Sequence, residues 1–210
     1  MQRSLGLWTA ANSPSRTLAL FDVTASMATP MDTAVGPGNR MTVMAAAAKS
    51  GLGLFQQDSR VGMWAFGAQR QEILPIEELG AEQRGQFDAR LSQASPSASD
   101  HSELYAALGA AYEAMKKDYD PTRPNLIVVL TDGADSDMSD NRLRLFNEQI
   151  QTLADPTRPI RVVLIGIAAS PPDAARLQKI ADIMGGGFFP LTSPEQIQSI
   201  FLRALLRVGN

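Results

Sequence analysis

Short blocks of consecutive apolar residues alternate along this chain with longer stretches whose apolar residues return every third or fourth position. The first pattern predicts strands and the second amphipathic helices. Thr17 to Asp22 is the first strand. A polar loop bearing Gly and Pro, Thr29 to Asn39, leads into a helix over about Arg40 to Phe55, with Met41, Met44, Ala45, Ala48, Leu52 and Phe55 at helical spacing. Arg60 to Gly67 and Gln71 to Ile76 predict two strands joined by a tight turn at Gly67-Ala68, hence antiparallel. Ala81 to Ser92 is a more polar helix, and Gln93 to Ser99 a loop of small residues. Leu104 to Lys117 is a helix with Leu104, Leu108, Ala111 and Met115 on one face.

After Pro121 and Pro124 comes a strand, Asn125 to Thr131, apolar throughout, as suits a central strand covered on both faces. A helix (about Asn141 to Leu153) and a further apolar strand (Arg161 to Ile167) follow. Pro172 to Met184 is a helix stopped by Gly185-Gly186-Gly187. Phe188-Phe189-Pro190 is a short edge strand, because proline cannot donate within a ladder. Ser193 caps a last helix, Pro194 to Leu206, with Pro at its first position and Glu195 in its first turn. No repeat, low-complexity tract or interdomain linker interrupts this order. It describes one α/β domain around a mostly parallel sheet.

Composition narrows the function classes. A chain of 210 residues, 44% apolar and 20% charged, suits one soluble domain with a buried core. A net charge of −3 gives no electrostatic reason to expect nucleic acid or an anionic membrane surface. The absence of cysteine excludes disulfides, thiolate metal sites and a cysteine nucleophile. No apolar run reaches the ~18 to 20 residues of a membrane span. Met1-Gln2-Arg3-Ser4-Leu5 lacks the apolar core of a signal peptide, so an exported natural protein would be longer than this chain.

The chemistry sits where apolar strands end in carboxylates. Asp22, Thr24 and Ser26 follow the first strand at alternate positions, and alternate residues of an extended segment share a face. The run Leu126 to Leu130 ends likewise in Thr131-Asp132-Gly133. A third loop, Asp100-His101-Ser102-Glu103, adds a hydroxyl. In an open doubly wound sheet ligands bind beyond the C-terminal strand edges, where the strand order reverses. Two carboxylates and three hydroxyls brought together there would hold a hard divalent ion such as Mg²⁺, with water completing an octahedron.

Each residue also has a plainer reading. Asp22, Thr24 and Ser26 could form a strand-end turn bonded to its own backbone. Ser102 could cap the helix at Leu104, with Glu103 in support. His101, the sole histidine, cannot found a zinc site without cysteine or a second histidine. Asp135, Asp137 and Asp140 read as a solvated acidic loop rather than a second cation site. Met41 and Met44 read as core filler, and Trp64 as a strand packing residue.

With these residues in place the chain resembles the von Willebrand factor A-type domain with its metal-ion-dependent adhesion site. That family's pattern is D-x-S-x-S after the first strand, G-T-x-L-Y on a middle loop and T-D-G after the fourth strand. Asp22, Thr24 and Ser26 match the first element, with threonine for the first serine. Thr131-Asp132-Gly133 matches the last unchanged. His101-Ser102-Glu103-Leu104-Tyr105 stands at the middle element, with Ser102 in the threonine's place and His101 in the glycine's. The resemblance runs from Thr17 to about Leu206. It implies a Rossmann-like three-layer sandwich whose six-stranded sheet is mostly parallel with one antiparallel edge strand. The domain would occupy residues 17–210, preceded by an N-terminal lead-in of residues 1–16.

More narrowly, Gly51-Leu52-Gly53-Leu54-Phe55, Val61-Gly62-Met63-Trp64-Ala65-Phe66 and Tyr119-Asp120-Pro121-Thr122-Arg123 are similar to bacterial, especially actinobacterial, cell-envelope proteins. So are Leu7-Trp8 and Pro14-Ser15-Arg16. Those proteins join a solute-binding domain to a C-terminal A-type domain. The resemblance thus implies an exported or envelope location and a link to a solute-binding domain, with no direct membrane insertion of this segment. It also implies Asp22, Thr24, Ser26, Ser102 and Asp132 as ligands of Mg²⁺, or of Mn²⁺ or Ca²⁺, with Asp132 acting through water. An ion so held keeps an open position and net positive character, which an Asp or Glu of a partner protein can fill. Some family members also shift their last helix with the metal, which would make Pro194 to Leu206 a switch.

Two other functions compete. A phosphohydrolase using Asp22 as nucleophile would want a second carboxylate where Thr24 stands. The chain also lacks a G-x-x-x-x-G-K-[ST] loop, a G-x-G-x-x-G after the first strand and a G-x-S-x-G elbow, so no enzyme is expected. A metal-independent A-type scaffold of an exported solute-binding protein is the remaining alternative.

Overall fold

Successive side chains of a strand point to opposite faces, so a strand buried along its whole length needs cover on both sides. Strand β1 (Arg16–Asp22) is such a strand. The structure, a computed structural model, describes residues 14–33, 36–133 and 135–200. In it β1 lies at the middle of a six-stranded sheet with β4 (Arg60–Phe66), β5 (Arg70–Glu78), β6 (Asn125–Thr131), β7 (Ile160–Ile167) and β8 (Gly187–Leu191). The order is β5-β4-β1-β6-β7-β8. All neighbours run parallel except β5, which turns back against β4 at one edge.

Two cores follow from strand alternation. Ala19 and Phe21 of β1, Val128 and Leu130 of β6, and Val163, Ile165 and Ile167 of β7 face one layer. There they meet Met41, Met44 and Ala47 of α1 (Arg40–Leu52) and Phe87 and Leu91 of α2 (Ala81–Ser92). Leu18, Leu20, Ile127, Val129, Val162 and Leu164 face the other layer. They pack on α3 (Leu104–Lys117), α4 (Asp140–Leu153) and α5 (Pro171–Ile183). Met41, Met44 and Trp64 are core residues, as expected of them. The result is the Rossmann-like three-layer sandwich that the alternation of strand and helix implies.

The chain runs from β1 through β4 and β5 on one side, then crosses to β6, β7 and β8 on the other. The switch therefore falls between β1 and β6, whose register pairs Phe21 with Leu130. Asp22 and Asp132 leave the same rim at this point.

Three details differ from the sequence reading. The polar loop Thr29 to Asn39 contains a hairpin, β2 (Pro30–Thr33) against β3 (Gly36–Asn39). Its strands lack the apolar alternation that marks a buried face, so nothing in the pattern separates them from loop. Helix α1 ends at Leu52, with Gly53 as its cap and a turn to Phe55, because two glycines within three residues weaken the last helical turn. Strand β5 extends beyond Ile76 to Glu78 and carries Pro75, which an edge strand accepts.

The glycine stop after α5 is a Schellman motif: Gly185 takes φ +62°, Gly186 N donates to Ala181 O (2.8 Å) and Gly185 N to Asp182 O (3.2 Å). The final helix begins with a 3₁₀ turn, Pro194–Gln196, and residues 197–200 continue as α-helix with Ile197 and Ile200 buried. The rest of the expected helix, residues 201–206, lies outside the described residues.

Candidate metal site

Strand β1 carries Asp22 to the rim but keeps it 1% exposed. Thr24 is extended (φ −61°, ψ 159°) and opens a 3₁₀ turn, Ala25–Ala28. That turn brings Ser26 back beside Thr24, so the three oxygen-bearing residues stay together. Asp22 Oδ1 accepts from Thr24 N (2.9 Å) and Thr24 Oγ1 (2.6 Å). Thr24 Oγ1 and Ser26 Oγ lie 3.0 Å apart. From the loop after β6, Asp132 Oδ1 accepts from Ser26 Oγ (3.0 Å). A hydroxyl the sequence reading passed over, Thr131 Oγ1, donates to Asp22 Oδ2 (2.5 Å) and lies 2.8 Å from Gly133 O. The T-D-G tract thus supplies two side chains to the cluster.

Asp22, Thr24, Ser26 and Asp132 make three successive oxygen–oxygen contacts, of 2.6, 3.0 and 3.0 Å, between two carboxylates. The two hydroxyls between them own two protons. With both carboxylates ionised, one contact has no hydrogen to share and sets lone pair against lone pair. A cation taking those lone pairs removes the conflict, and so does a proton on Asp22. Burial raises the Asp22 carboxyl from 3.8 to about 6; the hydrogen bonds from Thr131 and Thr24 pull it down, and the neighbouring Asp132 charge pushes it up further.

The middle loop is tied to the loop that follows β1. Ala25 N donates to Ser99 O (2.9 Å), Ser97 N to Val23 O (2.7 Å) and Glu103 N to Gly67 O (3.0 Å). A Cβ on Gly67 would lie 3.7 Å from Thr24 Cγ2 and 3.8 Å from the His101 carbonyl, so this loop packs directly against the β1 loop. Ser102 is buried there, and among the described residues its Oγ makes no hydrogen bond. A buried hydroxyl without a partner is uncommon and calls for an explanation.

Ser102 is therefore not the cap of α3. That role falls to Asp135, whose Oδ2 accepts from Tyr105 N (2.9 Å) while its Oδ1 accepts from Asp137 N (3.0 Å). Asp135 is buried, against the expectation of a solvated acidic loop; Asp137 and Asp140 are exposed, in keeping with it. Burial raises the Asp135 carboxyl, with the two backbone bonds opposing. Ser102 N donates to Ser136 Oγ (2.7 Å), so the Asp135 loop also fixes the Ser102 backbone. His101 is exposed and pairs with Glu103 Oε1 at 2.8 Å, away from the cluster.

One member of the site has no counterpart in the sequence reading. Arg40, the first residue of α1, places Nη1 2.6 Å from Asp132 Oδ2. Its Nη2 lies 3.5 Å from Ala168 O, just beyond β7. The hairpin β2–β3 is what brings it there, since Arg40 N returns to Thr29 O (3.1 Å).

The donor set fits a hard divalent ion. Two carboxylates and hydroxyls short of one proton form an all-oxygen set of the kind Mg²⁺ takes, while Ser102 Oγ, on the adjoining loop, makes no hydrogen bond to them among the described residues. Among the described residues no three His, Cys, Asp or Glu side chains cluster.

The fold is that of doubly wound, Rossmann-like sandwiches with a ligand rim at the switch point. The family model of the von Willebrand factor type A domain matches residues 20–203, and the chain belongs to that family of adhesion and protein-interaction modules. No curated protein matches the sequence.

Solved structures share the fold at low identity. A von Willebrand factor type A protein from Catenulispora acidiphila superposes with TM-score 0.66 at 16% identity, covering 92% of this chain and 42% of that one. BatB from Bacteroides thetaiotaomicron gives 0.67 at 16%, covering 91% and 97%. Proximal thread matrix protein 1 from the mussel byssus, solved with zinc occupying its MIDAS motif, gives 0.62 at 14%, covering 93% and 46%. This chain thus spans less than half the length of the Catenulispora and mussel proteins.

Proposed function

We propose that this domain binds a protein partner through a divalent cation and turns nothing over. The observation that carries the reading is the proton-short row of oxygens from Asp22 to Asp132, which joins the loops of two central strands at the switch point. Asp22, Thr24, Ser26, Ser102 and Asp132 would hold the ion, and Mg²⁺ suits the all-oxygen set, with Mn²⁺ or Ca²⁺ as substitutes. When bound, the ion supplies a Lewis-acidic position for an Asp or Glu of the partner. The chain's own part is to keep both carboxylates dry, to hold the hydroxyls in register through the 3₁₀ turn, and to hold Ser102 in place through Ser136.

Members of this family mediate protein–protein interaction, and the mussel protein carries zinc at its MIDAS. Both support the reading. A place in the cell envelope, next to a solute-binding domain, is proposed on the sequence resemblance. Among the described residues no helix is long and apolar enough to cross a membrane.

One observation favours the metal-independent scaffold instead: Arg40 already gives Asp132 a cationic partner. Thermal melts separate the two readings. With Mn²⁺ or Mg²⁺ added after EDTA treatment, the melting temperature should rise in the wild type and stay put in Asp132→Ala. A wild-type melt indifferent to both cations would leave the scaffold. A pull-down from envelope extract, with and without EDTA, then tests for the partner.

A further inference from the structure

We propose that Arg40 is a tethered counter-cation of the rim site: it lowers the site's affinity for a divalent ion and leaves the loaded site positively charged for a partner's acid. This rests on the cation-binding reading above and adds to it a residue outside the ligand set.

Three observations converge on Arg40. Its guanidinium forms a 2.6 Å ion pair with Asp132 while the side chain is 22% exposed, so it meets both the site and the solvent from which a partner would come. Its place in the helix runs against local preference. Positive charge is disfavoured at a helix N-terminus, and α1 has no acid in its first turn to offset it. The backbone there is nonetheless held firmly. Asn39 Oδ1 accepts from Thr42 N (2.8 Å), Asn39 N donates to Thr42 Oγ1 (2.9 Å), and Arg40 N reaches Thr29 O (3.1 Å). Finally, Ala168 takes φ +48°, a left-handed conformation that a residue with a Cβ adopts rarely, and its carbonyl lies 3.5 Å from Arg40 Nη2. Asp132 thus holds one end of the guanidinium and the Ala168 carbonyl borders the other.

Charge counting gives the consequence. Asp22 and Asp132 together carry −2, which a divalent ion alone would cancel. With Arg40 beside them the site stands at −1 before loading and +1 after. Repulsion between guanidinium and metal weakens cation binding, and the residual positive charge strengthens capture of a carboxylate. Removing the charge should move these two affinities in opposite directions. A residue that merely staples the hairpin to the rim would move neither in that pattern.

The test measures free Mn²⁺ by electron paramagnetic resonance during titration of the wild type, Arg40→Gln and Arg40→Lys at matched ionic strength. Acetate, the simplest carboxylate, is then titrated onto the Mn²⁺-loaded proteins and followed by water-proton relaxation. Arg40→Gln should bind Mn²⁺ about tenfold tighter and need several-fold more acetate, as loss of one full charge in a half-buried site implies. Arg40→Lys should track the wild type. Should Gln disturb the fold, as circular dichroism would reveal, Arg40→Met keeps the aliphatic stem and takes its place. Wild type that binds Mn²⁺ while the charge-free variant binds it no tighter overturns this proposal and leaves the site reading standing. Failure of every form to bind Mn²⁺ overturns both.

Discussion

With Asn in place of Asp22 the protein should gain stability on the wild type as pH rises in EDTA, although it loses the carboxylate at the centre of the candidate site. Burial raises the Asp22 carboxyl from 3.8 to about 6, and each pH unit corresponds to about 1.4 kcal/mol, so holding it ionised above pH 6 costs the fold about 3 kcal/mol. The sign follows from proton linkage. Between the unfolded and folded values the native state binds more protons, so stability falls as pH rises. The contribution is fully present below pH 4 and lost once pH passes about 6. Asn cannot ionise and escapes that loss.

The hydrogen bonds Asp22 accepts from Thr24 survive the change. Asn Oδ1 can accept from Thr24 N and Thr24 Oγ1 as Asp22 Oδ1 does. The amide would donate to Thr131 Oγ1, whose own proton already has Gly133 O within 2.8 Å. One amide hydrogen is left without an acceptor and the Thr24–Ser26 contact stays short of a proton, so a pH-independent cost offsets part of the linkage figure of about 3 kcal/mol.

Urea unfolding of both proteins in EDTA at a series of pH values measures this directly. Between pH 4 and pH 7.5 Asp22→Asn should gain on the wild type by up to about 3 kcal/mol. The difference between them is the readout, because other carboxylates titrate alike in both. Saturating Mg²⁺ should favour the wild type, since only the wild type gains from binding. Metal affinity should also weaken below about pH 6, where a proton competes for Asp22. An Asp22→Asn protein that gains nothing on the wild type between pH 4 and pH 7.5 in EDTA would refute the claim that desolvation dominates at this carboxylate.

Ser102→Ala separates stability from binding: deleting an unpartnered buried hydroxyl should leave the EDTA melt unchanged or raise stability by about 1 kcal/mol, while shrinking the Mn²⁺-induced rise in melting temperature. Asp135→Ala should lower stability by about 1 to 2 kcal/mol in urea, since it uncaps α3, and Asp135→Asn should restore most of that because its carbonyl can still accept from Tyr105 N. Together with the Asp132 and Arg40 variants above, these two assign separate roles to the residues that line the rim.

Much of this was legible in the sequence because it is written locally. Strand alternation and strand-end carboxylates need only neighbouring residues to be seen, and Asp22, Thr24 and Ser26 stand at the spacing their contacts require. The order of apolar runs similarly announced the six strands of the main sheet. The helix cap at α3 was misassigned for the opposite reason. Ser102 precedes the helix by two residues, whereas the true cap, Asp135, comes 30 residues after the amide it serves. Thr131 was in plain sight within T-D-G, but its bond to Asp22 spans 109 positions.

Arg40 shows most clearly what local reading misses. Seen alone it is a helix-opening arginine after a polar loop, and its one anomaly is the sign of its charge at a helix N-terminus. Its partner lies 92 residues away, reached only because a hairpin without apolar alternation folds back to deliver it. The same hairpin sets the guanidinium against Asp132 without drawing on the strand ends. Strand ends fix the two acids by sheet register, which a substitution hardly shifts, while the neutralising cation arrives on a separate connection. On the proposed reading the ligand set would decide whether a divalent ion can bind, and the connection after β1 how tightly and with what residual charge. Exchanging Arg40 should therefore retune the site, whereas exchanging Asp22 should abolish it.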